Sequence, residues 1–251
     1  MKNIEKTGLH ILFSKEGKKE YQDYLRIMNF KDNSEFNDLL GKLVFFREET
    51  VFLNIISKIE NSIKETLKMC KEAIGEEKLN IFIFETKDPF ITSEMSGSSG
   101  FCTGKNCIIL LINLEFFKEL ALKNTIAHEI AHAINSSYDM GNMSIGQGLI
   151  FDGLAENFRE SIIDNKKSIL VSKIDKDESL RLFTQIKPLL ESKNIEDYRE
   201  LFFYNKKYPL WAGYAIGYNL VKDYLKKQNS LNWFNILRKD PEIILKEILK
   251  N

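Results

Sequence analysis

The chain has 251 residues, enough for one large domain or for a catalytic core with a helical extension. Lys+Arg and Asp+Glu both count 36, so no global field steers it toward nucleic acid or an anionic membrane surface. Apolar runs such as IILLI at 108–112 fall far short of the roughly 20 residues a membrane helix needs, so neither partner is expected.

At the N-terminus, Leu9, Ile11, Leu12 and Phe13 form an apolar stretch broken by His10, too short for a signal-peptide core, which makes a cytoplasmic location the expectation. Between 48 and 74, Phe52, Ile55, Ile56, Ile59, Ile63, Leu67 and Ile74 recur at helical steps among Lys and Glu, predicting a long amphipathic helix that ends at Gly75. LNIFIFE (79–85) and CIILLIN (107–113) are short, rich in Ile and Phe, and bounded by polar turns, as strands are. The Gly/Ser-rich stretch between them, 92–106, reads as a mobile loop or an irregular rim. Helical spacing then covers about 115–135, 146–164, 176–191, 195–204 and 211–227, with a last pair near 231–249. The expected fold is α+β and mainly helical: an N-terminal helical region over 1–77, then a domain over 78–251 with a small sheet and a helical C-terminal half. The two could equally be one continuous domain.

The chain's three cysteines, Cys70, Cys102 and Cys107, are an odd number without an export signal, which fits reduced thiols. Cys102 and Cys107 have the look of half a metal knuckle, but no second pair follows to complete it.

Chemistry concentrates in TIAHEIAHAIN at 125–135, which holds two of the chain's three histidines. Four residues advance a helix by about 400° and about 6 Å, so His128 and His132 project from one face and can share an ion. Glu129 lies about 100° round, placed to act on a bound water without ligating. That is the physical content of H-E-x-x-H: two imidazoles fix one zinc per chain, and the glutamate accepts a proton from the water that zinc acidifies. The alternative is an apolar helix with two structural histidines. Among Ile126, Ala127, Ile130, Ala131, Ala133 and Ile134, unpaired imidazoles would be costly to bury, which favours the metal.

A tetrahedral site needs a third protein ligand. The class that uses a third histidine six positions on is excluded, because Tyr138 stands there and Asn135 replaces the expected glycine. His10 is remote and expected in a frayed terminus, which leaves a carboxylate or a thiolate. GQGLIFDGLAENFRES (146–161) carries Asp152, Glu156 and Glu160 at four-residue steps amid apolar neighbours, an unusual setting for a solvated stripe. Glu156 is the expected ligand, with Asp152 as the fallback and Glu160 placed to steady a zinc-bound imidazole.

AHEIAHAIN, GLIFDGLAENF and YPLWAGYAIGYNLV (208–221), in that order, resemble the YjaZ-like family of predicted zinc-dependent proteases, which looks like a branch of the gluzincin metallopeptidases. The resemblance implies zinc at His128, His132 and Glu156, Glu129 as general base, and a peptide or protein substrate. It also implies that GSSGFCTGKNCIILLIN is a glycine-rich turn and edge strand beside the cleft. In the third block Tyr214 and Tyr218, and likewise Gly213 and Gly217, lie one turn apart, and the glycines permit a close helix approach. Each tyrosine alone reads as core packing. With no spare histidine, though, a phenol is the available donor for a carbonyl oxygen, Tyr214 first and Tyr218 second. The expected activity is peptide hydrolysis by a zincin-like metallopeptidase. Hydrolysis of a non-peptide amide, and a zinc-stabilised interaction module, are the alternatives. The last leaves Glu129 without a purpose, because structural zinc sites close all four positions.

Overall fold

The computed structural model describes residues 8–11, 43–44, 53–104, 106–135, 137 and 142–250. The chain divides into two compact units, Met1–Ala133 and Ile134–Asn251. Among the described residues no helix is long and apolar enough to cross a membrane.

The first unit is built on a mixed five-stranded sheet of order β1-β3-β5-β4, with β2 also pairing β3. Its strands are β1 (Gly8–Ile11), β2 (Leu43–Val44), β3 (Asn80–Thr86), β4 (Ser98–Gly104) and β5 (Cys107–Ile112). β3 and β5 run parallel from Asn80↔Cys107 to Glu85↔Ile112. Their continuous Ile, Leu and Phe runs suit strands covered on both faces, and nearly every residue in them is buried. Helices α1 (Leu53–Ile74) and α3 (Glu119–Ala133) pack on each other, and α3 also packs on β4 and β5. The short α2 (Pro89–Glu94) is started by Asp88, whose side chain accepts from the Phe90 amide at 2.8 Å.

Three features depart from the sequence reading. The Gly/Ser stretch expected to be irregular contains the end of α2 and the strand β4, antiparallel to β5 with a register shift between Cys102 and Gly104. Pairing with an apolar neighbour strand overrides the weak strand preference of Ser and Gly. His10, expected in a frayed terminus, lies in β1, where its ring stacks on Phe82 at 4.6 Å and Nε2 stands 3.4 Å from Asn80 Oδ1. Most of the N-terminal region expected to be helical, including 48–52 of the long helix, lies outside the described residues. Its described parts supply two strands as well as α1.

The second unit is helical: α4 (Ile145–Ile163), α5 (Ile169–Ser172), α6 (Lys176–Ile186) running into a 3-10 turn (Lys187–Leu189), α7 (Ile195–Phe202), α8 (Ala212–Lys226), α9 (Trp233–Ile236) and α10 (Pro241–Leu249). A capping box starts α4: Ser144 Oγ accepts from the Gln147 amide, and Gln147 Oε1 accepts from the Ser144 amide at 2.9 Å. Leu149, Ile186, Phe202, Ala212, Ala215 and Ile216 belong to the core around which these helices pack.

The α4–α8 crossing positions the acidic residues of α4. A Cβ on Gly217 would lie 2.0 Å from Leu149 O, and one on Gly153 would lie 2.3 Å from Gly217 O, so the two backbones touch where only glycine fits. Asn157 locks the crossing, donating from Nδ2 to Gly153 O at 2.8 Å and to Tyr218 O at 3.0 Å. The close approach expected of Gly217 is therefore present, whereas Gly213 makes room for the Phe202 ring, 2.7 Å from where its Cβ would stand.

Gly217→Ala separates packing from helix propensity. Alanine in an open helix would gain up to about 1 kcal/mol, whereas here overpacking against backbone is expected to cost about 1–3 kcal/mol or more. Thermal unfolding should therefore show a lower midpoint, and a raised midpoint would refute the contact.

Candidate metal centre

The H-E-x-x-H residues lie in the last two turns of α3, a helix buried on most sides because Leu122, Ile126, Ala127, Ile130, Ala131 and Ala133 surround them. His128, Glu129 and His132 are only 7%, 5% and 7% exposed. The two imidazoles meet edge to face with centroids 4.6 Å apart, and their Nε2 atoms are 2.9 Å apart. Two nitrogens each about 2.0–2.1 Å from one tetrahedral zinc would stand roughly 3.3 Å apart. The pair thus presents two imidazole nitrogens at nearly the spacing a shared ion needs, and the residues fit the metal.

Strand β4 crosses directly over this helix at Gly100. A Cβ there would lie 2.6 Å from Glu129 Cγ and 3.0 Å from Thr125 Cγ2, so the missing side chain is what admits the glutamate beneath the strand. Cys102, on the same strand, donates its thiol to Cys107 O at 3.0 Å and to Gly104 O at 3.4 Å. Burial pushes that thiol well above its usual range, and the nearby Glu129 carboxylate adds to the rise. Burial likewise raises Cys107 to about 11 and Cys70 to about 12. All three thiols are buried.

The candidate carboxylates lie on one side of α4. Asp152 is 5% exposed, and its Oδ2 accepts from the Tyr198 hydroxyl at 3.4 Å. Glu156 is 1% exposed; its Oε2 accepts from Ser168 Oγ at 2.5 Å and stands 3.4 Å from Arg159 Nη2. Arg159 is itself 1% exposed and donates from Nη1 to Lys166 O at 2.7 Å. Glu160 is half-buried, and its Oε2 accepts from the Tyr218 hydroxyl at 2.6 Å and from Lys222 Nζ at 3.1 Å. The buried pair His128 and His132, and separately the buried carboxylate of Asp152, are groups of the kinds that could serve a metal ion.

The two tyrosines expected near the chemistry differ in setting. Tyr218 is buried, and its phenol pKa is raised by burial and then by its hydrogen bond to Glu160, so its proton is directed at that carboxylate. Tyr214 is half-buried, edge-on to Phe202 with centroids 5.2 Å apart and to Phe203 at 6.3 Å. Tyr198 was missed: its segment, NIEDYRELF, is dense in charge and reads as a solvated helix, and only the fold brings its hydroxyl to Asp152.

The model of a family described as "Predicted Zn-dependent protease (DUF2268)" matches residues 59–246. The chain belongs to that family. Among curated relatives it is similar to the "Uncharacterized protein YjfC" of Bacillus subtilis (strain 168), 23% identical over 193 residues. That match covers 69% of this chain and 64% of the relative, so the chain spans just under two thirds of that protein's length. The match to the predicted Zn-dependent proteases takes in α3, α4 and α8, which carry the residues singled out from the sequence.

For this family member, Gly100→Ala is the sharpest probe of the strand over α3. The added Cβ would displace the Glu129 side chain while the fold persists. Thermal unfolding should show a midpoint lowered on the scale of overpacking a buried contact, about 1–3 kcal/mol. A parental midpoint would show that β4 does not constrain Glu129.

Proposed function

We propose that this chain is a zincin-like metallopeptidase holding one zinc with His128, His132 and a carboxylate of α4. The observation that carries the proposal is the buried imidazole pair with Nε2 atoms 2.9 Å apart, adjacent to the buried Glu129. Membership of a family described as predicted Zn-dependent proteases supports it. For the third ligand we take Asp152 in place of Glu156. Glu156 is gripped within its own unit by Ser168 and Arg159, and a carboxylate already neutralised by a buried guanidinium gains less from a cation. Glu156, one turn on, then takes the outer-partner role that the sequence suggested for Glu160, whose Oε2 is held by Tyr218 and Lys222.

Bound there, zinc would supply the acidity that brings a water's pKa near neutrality and the charge that polarises a peptide carbonyl. Glu129 receives the water's proton on its carboxylate. Its low exposure keeps bulk water from competing for that proton, and the same oxygen returns it to the departing amine. Tyr214 remains the phenol proposed for the carbonyl oxygen, because the Tyr218 hydrogen is spent on Glu160.

Glu129→Gln should keep zinc and the melting temperature of the parent yet lose about 100- to 10,000-fold in turnover on a peptide library, since it removes a proton acceptor and no ligand. Zinc loss in this variant would contradict the division of roles. Asp152→Asn should abolish stoichiometric zinc on elemental analysis, whereas Glu156→Gln should weaken affinity only about 10- to 100-fold. The reverse order would return the third-ligand role to Glu156. Turnover confined to non-peptide amides would redirect the substrate assignment without touching the metal.

A further inference from the structure

The Tyr198 phenol is placed by an arrangement that its own helix does not need. Asn194 caps α7, its side chain accepting from the Glu196 amide at 2.9 Å, and this fixes the helix start one turn before the tyrosine. The Tyr198 ring stacks on Phe202 at 4.3 Å between centroids with 16° between planes. Its edge lies against Gly148 of α4, where a Cβ would stand 3.0 Å from Tyr198 Cε2. Gly148 is four residues before Asp152, on the same helix face, so the ring runs along α4 and delivers its hydroxyl to Asp152 Oδ2 at 3.4 Å.

We infer that Tyr198 is a positioning residue for the metal-binding carboxylate, holding Asp152 Oδ2 so that its other oxygen is presented to the ion. This rests on the proposal that Asp152 is a ligand. The chemistry suits the task. A ligating carboxylate is steadied by a hydrogen bond to the oxygen that does not ligate, and such outer partners tune affinity. A phenol supplies one donor without a competing positive charge, so it orients Asp152 without neutralising it, unlike the guanidinium beside Glu156. Because the ring is already immobilised by Phe202 and by the notch at Gly148, little freedom is left to lose when the metal binds.

Tyr198→Phe tests this, since it keeps the ring, the stack and the notch and deletes only the hydroxyl. Zinc affinity is measured by competition with a chromogenic chelator, and the melting temperature on zinc-stripped protein, for the parent, Tyr198→Phe and Asp152→Asn. The inference expects Tyr198→Phe to bind zinc about 10- to 100-fold more weakly with an unchanged zinc-free melting temperature. At saturating zinc its kcat should return to the parental value, as fits a residue that acts through the ligand. Parental affinity in Tyr198→Phe alongside zinc loss in Asp152→Asn overturns the role of Tyr198 and leaves the metal assignment standing. Parental affinity in both overturns Asp152 as a ligand and the inference with it. A lower zinc-free melting temperature with unchanged affinity assigns Tyr198 to packing alone.

Discussion

Burial of ionisable groups on α3 is the constraint around which the first unit is arranged. His128, Glu129 and His132 are each less than a tenth exposed, on a helix whose other faces are occupied by Leu, Ile and Ala. An isolated charge moved into such surroundings costs several kcal/mol even after relaxation, and buried polar groups persist only where something compensates them. The proposed zinc would be a partner of the chemistry that suits two imidazoles. The strand above is adapted to the same end: glycine at position 100 leaves the space that Glu129 occupies, so an acid can sit under a β-strand without clashing.

The second unit meets the corresponding demand on α4 with protein groups. Glu156 and Arg159 are both 1% exposed and face each other one helical turn apart, with Ser168 closing the remaining side of the carboxylate. Deleting one member of such a pair leaves an uncompensated buried charge, a cost of about 3–5 kcal/mol, which ties the local fold to this network. The glycine contact between α4 and α8 brings a second set into register. It places Tyr218 and Lys222 opposite Glu160 and lets Asn157 bridge the two backbones. Acids four residues apart thus acquire different partners, and their roles separate by environment, although the helix presents them at equal intervals.

The strongest signals in the sequence were those with a fixed period. The i, i+4 histidines stand on one helical face and meet at their Nε2 atoms, and the Ile- and Phe-rich runs are the parallel strands β3 and β5. β4 was not legible from its residues because Ser, Gly and Thr carry no apolar alternation; its strand character comes from pairing with β5. β1 and β2 are too short to show a period at all. Asp152, Glu156 and Glu160 were visible as a set, but nothing local separates them, since Ser168, Tyr198 and Tyr218 reach them only through tertiary packing. Tyr198 was hidden for a related reason: its helix is surrounded by charge in sequence, while its ring turns inward onto Phe202 and Gly148.

The central claim, that His128 and His132 together hold a zinc ion completed by a carboxylate, is tested most directly by X-ray absorption at the zinc edge on protein loaded with one equivalent of metal. The account predicts only nitrogen and oxygen scatterers at about 2.0–2.2 Å, with the outer-shell pattern of two imidazoles, and the loss of that pattern in a His128→Ala, His132→Ala double variant. A sulfur shell at about 2.3 Å, or an imidazole signal that survives the double substitution, would contradict it.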